Sequence, residues 1–540
     1  MTRFATGAGL SLVRTLRLVG LAAVLIQAPV AMAEEVASPY ELQPNDFENF
    51  STSNFLPRGT FKLDGGTLQA DPSISTPGTG NQLYYARLAY APIDGLEFGV
   101  AYQHFVDPPV KPIAGYTGGS KMTGGGLSAK LRLYQGGRLS VSAQVAAEMM
   151  RFQAPFFGST ANKYLMIGSA HLPLTYDITP TLQAHLTPGI SIFPNSRGGS
   201  RFYGKVASIG AGLSWKPTPR TLVYGTITQP LTGANTIFSD GSYGRRPVVT
   251  FGGRYNVAPN SSIEAYATNG IGVTRTTGVL THFPDGDFLV IGLKFGYTFG
   301  RGSSERLPYG RRPETRVTDD QRSFAGDGFT LLGARIRERG TGELTAFGGT
   351  HGAYGMRAML AIDHFTEVGF SYESIANDGS GSIGKLLSGR DRWTGHAKQQ
   401  FLEQIDGDPV SLALSVSMGR DLNQRGVFFA ALPVMRELNS RTAIKLVPKL
   451  ALYGNNEELG LGFGANFTVS KNITLIGEYT LRNNGAHIWA AGAKARVPNA
   501  PIEVSLHATN ALGAYGVNSM TSQSDPKIVL SVSLLQKLFR

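Results

Sequence analysis

The chain has 540 residues, of which 16% are charged and 10% are aromatic, with 68 glycines, no cysteine and a formal net charge of +12. The low charge and the abundant aromatic residues exclude an intrinsically disordered chain. The absence of cysteine excludes disulfide scaffolds and Cys-ligated metal sites.

The N-terminus has the pattern of an exported protein. Three arginines precede the apolar run Leu18–Ile26, and Ala31-Met32-Ala33 forms a small-residue cleavage site. Residues 1–33 are therefore predicted to be a secretory signal peptide, because the apolar run is far shorter than the roughly 20 residues that a membrane helix needs. An exported chain rarely meets nucleic acid, so we expect no nucleic-acid partner. The positive charge then indicates anionic lipid or a pore for anions.

After the signal peptide, no apolar run reaches the roughly 18 residues of a transmembrane helix, so a membrane role requires a closed β-barrel. Residues 34–57 are polar and irregular, and they predict a lead-in, with a single first strand or a small plug as alternatives. From Arg58 onward, strand-like runs of about ten residues alternate with turn signals. The twelve runs up to Gly300 are 59–65, 81–91, 94–106, 123–135, 138–150, 161–176, 180–193, 203–217, 219–230, 246–257, 261–272 and 287–300.

The connections between these runs alternate in length. Those after even-numbered runs are short, such as 91–95 and 135–137, whereas those after odd-numbered runs are long and rich in Gly, Ser and Pro, such as Asp107–Met122 and Thr232–Arg245. Short turns at one end and long loops at the other are typical of transmembrane barrels. A soluble sandwich or propeller has no reason to keep its ends unequal. The pattern favours a transmembrane antiparallel β-barrel, and a soluble periplasmic β protein remains as an alternative.

The faces of the runs agree with a barrel. Leu127, Leu131 and Leu133 alternate with Lys130 and Arg132, which predicts an apolar face toward lipid and a polar face toward the lumen. A half-buried antiparallel sheet gives the same alternation, so only the loop asymmetry separates the two.

Two prolines interrupt this strand pattern. Pro173 and Pro188 lie within the sixth and seventh runs, and proline cannot donate a ladder hydrogen bond. They return in the second half of the chain as Pro433 and Pro448, so they predict a shared bulge or a bend next to the short turn.

The second half of the chain repeats the first. Residues 172–192 correspond to 432–452, and residues 252–272 correspond to 492–513. We therefore predict an internal duplication, with a first β-barrel repeat at 58–300 and a second at 328–540. Between them, residues 301–327 carry six arginines among turn-forming residues and predict a linker. The lead-in 34–57 is predicted to be periplasmic, and twelve crossings from that start then place the Arg-rich linker in the periplasm as well.

Asp287–Gly300 carries a period of 2 that ends in aromatic residues. The spacing of Gly292, Phe295, Tyr297 and Phe299 resembles the C-terminal strand signal that outer-membrane β-barrels present to the barrel-assembly machinery. Because the stretch lies near the middle of the chain, we predict that it is the last strand of the first repeat.

The mature chain as a whole resembles porin-like outer-membrane β-barrel proteins of diderm bacteria. A weaker likeness, on duplicated architecture alone, is to double-barrel outer-membrane proteins associated with exopolysaccharide secretion. The resemblance implies a location in the cell outer membrane, with outer-membrane lipid and the barrel-assembly machinery as partners. The expected fold is all-β, with two tandem repeats of about 12 strands. These form two barrels or one barrel of about 24 strands, and an extra strand at Phe329–Arg337 would upset the count.

No catalytic motif stands out, so we predict a non-enzymatic protein without cofactor or metal. His351, His364 and His396 form the tightest group of three histidines, but their spacing matches no metal site. The tripeptide Asp285-Gly286-Asp287 lacks the remaining carboxylates of a calcium loop and predicts a plain turn.

Cations on the predicted lumen side are the remaining functional signal. They are Lys130, Arg132, Arg254, Lys294, Arg335, Arg337, Lys445, Lys449, Lys494 and Arg496. A cation-lined lumen predicts a channel or translocation component for small anionic solutes or polysaccharide. As an alternative, these cations pair with lumen acids such as Glu97 and Glu148, or fill a narrow barrel. The protein would then be a structural, assembly or surface-binding barrel without conductance.

Overall fold

The structure is a computed structural model in which the chain divides into two compact units, each with one β-barrel. The predicted signal peptide and residues 301–326 of the predicted linker lie outside the described residues. Across the described ranges, no helix is long and apolar enough to cross a membrane. The described residues are 45–70, 81–158, 164–197, 199–258, 260–300, 327–374, 391–421, 426–453 and 456–538.

The first barrel consists of twelve antiparallel strands, of which the sixth is interrupted. These strands are β1 Thr60–Ala70, β2 Asn81–Ile93, β3 Leu96–Asp107, β4 Ser120–Gly136, β5 Leu139–Gln153, β6 Leu165–His171 with Leu174–Thr179, β7 Leu182–Ile192, β8 Lys205–Trp215, β9 Thr221–Pro230, β10 Val248–Ala258, β11 Ser261–Thr268 and β12 Val290–Gly300.

The first barrel closes on itself. Strand β12 pairs with β1 in an antiparallel register that runs from Gly300 opposite Thr60 to Ile291 opposite Gln69. The prediction that this stretch is the last strand of the first repeat is therefore confirmed. Of the two predicted architectures, the pair of 12-stranded barrels is correct and the single barrel of about 24 strands is wrong.

The second barrel repeats this plan, and β24 closes it against β13, from Lys537 opposite Thr341 to Val529 opposite Gly349. The extra strand considered at Phe329–Arg337 is absent, because that described segment contains no strand. The strands are β13 Thr341–Gly349, β14 Tyr354–Ala361, β15 Thr366–Ser374, β16 Asp391–Leu402, β17 Ser411–Asp421, β18 Gly426–Ala431 with Val434–Asn439, β19 Thr442–Tyr453, β20 Asn456–Ser470, β21 Ile473–Arg482, β22 Ile488–Arg496, β23 Ile502–Ala511 and β24 Ser522–Lys537.

The repeated prolines mark a bend that both barrels share. Pro173 lies in the break of β6, next to the short turn into β7. Across this break, the amide of Leu172 donates to the carbonyl of Pro188 over 2.9 Å, and Leu432 donates to Pro448 over the same distance in the second barrel. The predicted bend is confirmed, and the ladder survives it because the proline carbonyls still accept.

The outer wall of the first barrel is apolar and its inner wall is polar. On β4, the side chain of Leu127 is 65% exposed on the outer wall, whereas that of Lys130, three residues further along the strand and on the lumen face, is 2% exposed. At the periplasmic end, the ring of Phe61 stacks on Tyr90 at 4.1 Å and on Phe299 at 5.2 Å. An apolar band that ends in an aromatic girdle is the lipid-facing surface of a transmembrane barrel, and the soluble alternative is therefore wrong.

Candidate functional site

The lumen of the first barrel contains the segment that precedes β1, which we call the first plug (residues 45–57). Glu48 on this plug is fully buried. One of its carboxylate oxygens accepts from Arg87 at 2.9 Å and from the hydroxyl of Tyr85 at 3.1 Å. The same oxygen lies 3.3 Å from the Nζ of Lys294 on β12. Of the alternatives for the lead-in, the described part thus adopts the small plug.

Two of the predicted lumen cations hold the ends of the first plug. The Nζ of Lys130 donates to the carbonyl of Asn45 at 2.9 Å and to that of Asn54 at 2.6 Å. The ring of Phe55 covers both this ammonium, at 4.7 Å, and the guanidinium of Arg132, at 4.8 Å. These cations therefore contact the plug rather than an open pore.

Acids of the wall pair with the predicted cations of the first lumen. Arg254 donates to Glu264 over 2.7 Å, and Lys294 lies 2.8 Å from the other oxygen of the same carboxylate. The Nζ of Lys130 lies 3.7 Å from Glu97. The pairing with lumen acids that the sequence left open is present, because a charge buried in a narrow lumen requires a partner.

A second segment enters the first lumen from the opposite end. The connection between β11 and β12, which we call the first inward loop (residues 269–289), is largely buried. On it, the hydroxyl of Thr274 donates to Glu148 over 2.6 Å. The neighbouring Arg275 forms an ion pair with Asp46 of the first plug. The plug and the inward loop therefore meet inside the barrel and close it from both ends.

The charges around Asp46 and Arg275 favour the ionised form of Asp46. Burial raises the pKa of the Asp46 carboxyl, but the positive charges of Arg275 and Lys62 outweigh burial and hold the pKa well below its usual value. Asp46 is thus ionised at neutral pH, and the contact between plug and loop is an ion pair under physiological conditions.

The second barrel is occupied in the same way, by a second plug (residues 327–337). Asp327 lies 2.7 Å from Arg357 and 3.2 Å from Lys398, and Lys494 donates to its carbonyl over 2.8 Å. Burial raises the pKa of the Asp327 carboxyl, but the positive charges of Lys398 and Arg357 outweigh burial and hold the pKa well below its usual value. Asp327 was predicted to end the linker, yet it is the buried anion of this plug.

The backbone of the second plug is bound by a carboxylate of the wall. Glu478 on β21 accepts from the amide of Thr330 at 2.6 Å and from those of Phe329, at 3.1 Å, and Leu331, at 3.2 Å. The carbonyl of Thr330 in turn accepts from the Nζ of Lys449 at 2.8 Å. The polar backbone of this irregular segment is therefore satisfied by charged side chains instead of by a strand partner.

The second inward loop (residues 512–521) meets this plug through Lys449. The Nζ of this lysine also lies 3.4 Å from the carbonyl of Ser519 on the loop. The loop is anchored to the wall by Glu373, which accepts from the amide of Ala514 at 3.0 Å. Plug and loop thus close both barrels, although the contact between them is an ion pair in the first and a lysine bound to carbonyls in the second.

Two of the predicted lumen cations belong to the second plug and not to a wall strand. Arg335 lies 2.9 Å from Glu403 and 2.7 Å from Glu437, and Arg337 lies 2.6 Å from Glu367. These acids lie at or near the short turns, so the two arginines fix the plug at the periplasmic end of the barrel.

The remaining predicted cations lie on the inner wall. Lys445 on β19 is buried, and Lys494 on β22 lies 3.3 Å from Glu503. Arg496, the last residue of the same strand, is half-buried. The structure therefore brings the predicted cations to the lumens and plugs, while their effect on the passage of anions stays a prediction.

The histidines singled out by the sequence do not meet. His351 lies in an external connection, His364 in a short turn at the opposite end, and His396 in the lumen, where Ser371 is 2.7 Å away. Among the described residues, no carboxylate or carboxamide is hydrogen-bonded to this histidine, as a nucleophilic triad would require. The described part of the chain also contains no group of three His, Asp or Glu residues that could hold a metal.

The tripeptide Asp285-Gly286-Asp287 forms a turn in the first inward loop. Asp285 and Gly286 have φ angles of 67° and 61°. The carboxylate of Asp285 accepts from the amide of Ser239 at 2.9 Å, and Asp287 lies 3.5 Å from Lys111 at the surface. The carboxylates thus hold this turn against neighbouring external segments.

No known protein family and no curated protein sequence matches the chain. Solved structures with similar barrels include the NanC porin, at 10% identity and a TM-score of 0.28 over 45% of this chain and 99% of that one. An outer membrane channel from Pseudomonas putida F1 matches at 12% identity and a TM-score of 0.33 over 48% and 100%. Outer membrane phospholipase A from Escherichia coli matches at 9% identity and a TM-score of 0.27 over 46% and 95%. These similarities concern the barrel fold alone.

The two closed barrels, with apolar outer walls and polar lumens, make this chain an internally duplicated outer-membrane β-barrel protein. Its porin-like architecture differs from an open pore in that both lumens hold a plug and an inward loop.

Proposed function

We propose that the protein is a non-enzymatic, gated channel for small anionic solutes, and that the structure represents its closed state. The observation that carries this proposal is the position of the plug carboxylates. Glu48 lies against Arg87 and Lys294, and Asp327 lies against Arg357 and Lys398. In each barrel the plug thus places an anion on a pair of wall cations, where a solute anion would bind if the plug left.

The chemistry of these cation pairs supports exchange between plug and solute. Removing one partner of a buried ion pair costs about 3–5 kcal/mol, because the other charge is left uncompensated. When Glu48 leaves, Lys294 keeps Glu264 at 2.8 Å, whereas Arg87 keeps only the more distant Asp64 at 3.9 Å. The guanidinium of Arg87 therefore favours replacement of Glu48 by another anion or by water. A lumen that loses its plug carboxylate becomes more positive, and rings of cationic side chains favour anions in pores.

The width of the barrels favours small solutes over a polysaccharide. Side chains fill a barrel of about 8 strands, whereas barrels of 16–18 strands leave an aqueous channel. Twelve strands lie between these limits. Even without plug and loop, the lumen would be narrow, which suits small anions better than a hydrated polymer.

A second candidate function is a closed structural or surface-binding barrel without conductance. The observation that favours it is the completeness of the closure. The cavities beside the first plug are about 30 Å³ each, which is the size of a few water molecules at most. On this alternative, the ion pairs inside the lumens serve rigidity and the external loops serve a partner.

Single-channel recording in planar bilayers tests the proposal with a variant that weakens both plugs, Glu48→Gln with Asp327→Asn. The control is Asp94→Asn, which removes an exposed acid from a short turn. The gated channel predicts rare openings for the wild type and the control, and frequent openings for the double variant. A folded double variant that is as silent as the control would instead support the structural barrel.

A further inference from the structure

The outer wall of the second barrel carries a groove that the channel hypothesis does not use. It has a volume of about 740 Å³ and crosses β18 to β21. That volume lies within the range of roughly 300–1,000 Å³ that is typical of small-ligand sites. Its apolar lining on the outer wall includes Ile444, Leu446, Phe463, Ala465, Gly477 and Tyr479. Lys445 and Glu478 of the same strands also contribute to the lining, although their side chains are buried.

Small residues in one row across the strands create this groove. In the register of the second barrel, Ile444 pairs with Ala465, Ala465 with Gly477, and Gly477 with Ala491. A Cβ atom added at Gly477 would meet nothing within 4 Å. The wall is therefore indented where these residues follow one another.

In the first barrel, larger side chains fill the corresponding place on the outer wall. Its corresponding row pairs Ala184 with Leu213, Leu213 with Gly225, and Gly225 with Phe251. The side chains of Leu213 and Phe251 are 54% and 57% exposed on the outer wall. A Cβ atom added at Gly225 would meet Phe251 at 3.4 Å. The indentation is thus a specific property of the second copy and not of the fold.

A cation accompanies the groove. Arg436 on β18 is exposed on the outer wall and lines the groove. Among the residues that the structure describes, none forms a hydrogen bond or an ion pair with its guanidinium. The corresponding residue of the first copy is Tyr176, an exposed aromatic residue of the kind found at membrane interfaces. An unpaired arginine on a lipid-facing wall is costly unless it reaches an anion at the interface.

The position of Arg436 identifies the leaflet. It lies three residues before Asn439, which ends β18 at the short turn into β19. Short turns face the periplasm in such barrels, so the groove opens to the periplasmic leaflet, which consists of phospholipid. We propose that the groove binds one acyl chain of a periplasmic-leaflet phospholipid whose anionic headgroup pairs with Arg436. This site is independent of the proposed channel function.

Native mass spectrometry of the full-length protein in detergent, with added phosphatidylglycerol, tests this site. Phosphatidylcholine is the comparison lipid, because it shares the acyl chains and lacks the net negative charge. Two variants rebuild the wall as the first copy has it: Arg436→Tyr removes the cation, and Ala465→Leu with Ala491→Phe fills the groove. A third variant, Tyr176→Arg with Leu213→Ala and Phe251→Ala, transfers the groove to the first barrel.

We expect the wild type to retain one phosphatidylglycerol at least tenfold more tightly than phosphatidylcholine. Arg436→Tyr abolishes that preference, the filled groove loses the bound lipid, and the transferred groove gains a second lipid. Variants that migrate as folded barrels on unheated gels yet retain phosphatidylglycerol like the wild type would overturn the proposal. So would a change in the number of chains per complex with no change in bound lipid, because the groove would then be a protein interface.

Discussion

The carboxylate of Asp46 pairs with the guanidinium of Arg275, although the two residues enter the first barrel from opposite ends. The plug that precedes β1 is thereby tied to the loop that precedes β12. The strands β1 and β12 also pair with each other to close the barrel. The segments next to the two closing strands are therefore joined to each other by this ion pair inside the lumen. Any movement of the plug out of the lumen must break this contact.

Breaking this pair is expected to open the first barrel. Asp46→Asn leaves Arg275 without its ion-pair partner, and Arg275→Gln leaves the buried Asp46 with only the more distant Lys62 at 3.9 Å. Each change is expected to cost about 3 kcal/mol. Since each 1.4 kcal/mol is a factor of ten, openings in planar bilayers should increase roughly a hundredfold. The charge-swapped variant Asp46→Arg with Arg275→Asp should restore part of the closure. If the swap opens the barrel as often as either single variant, the contact does not act as an ion pair.

The pH dependence of opening follows from Asp46 and Asp327, whose pKa values are both well below the usual value in the closed state. A carboxyl group with a lowered pKa stabilises that state at every pH above its ordinary pKa of about 3.9. The stabilisation is lost only as the pH falls through the lowered value. Opening should therefore be constant from about pH 8 to pH 5 and increase only in strong acid. A conductance titration with a midpoint near neutral pH would contradict this assignment.

Wall pairs are expected to stabilise the first barrel itself. Glu264 is buried between Arg254 and Lys294, so Glu264→Gln leaves two cations without their shared carboxylate. The expected loss is about 3–5 kcal/mol in the free energy of unfolding, measured by urea titration of the folded, unheated form on gels. Asp94→Asn, which alters an exposed turn, serves as the control with no expected change. Equal stability of the two variants would show that this pair contributes little.

The sequence predicted the strands well because period-2 alternation and unequal loops are local signals. The alternation of side chains along the strand predicts that Lys294 faces the lumen, and the structure places it there. Its partner Glu48 lies 246 positions earlier, and no local pattern links the two. The plugs carry no repeating apolar pattern because they pair with no barrel strand. Backbone amides such as those of Leu56 and Thr330 donate to wall carboxylates instead. The one overlooked signal was the apolar character of the first inward loop, where Val273, Val279 and Leu280 are unusual for an external loop.

Anion preference is expected to depend on the cations that the plug now covers. In a chain that lacks the first plug, Arg87→Gln with Lys294→Gln should reduce the preference for chloride over potassium, because both side chains have then lost the carboxylate of Glu48 that covers them. Arg58→Gln is the matched control, since Arg58 is exposed outside the barrel strands. Reversal potentials in a KCl gradient measure the preference. An equal shift in both variants would indicate a general surface charge effect.

The most direct test is the reversal potential of the chain from which residues 45–57 have been deleted, recorded in a planar bilayer across a KCl gradient. Deletion removes Asp46 and Glu48 together, so the wall cations lose their plug anions and the inward loop loses its partner. The gated anion channel predicts discrete conductance steps and a reversal potential of the sign set by chloride. A correctly folded barrel that remains silent, or that prefers potassium, would contradict it.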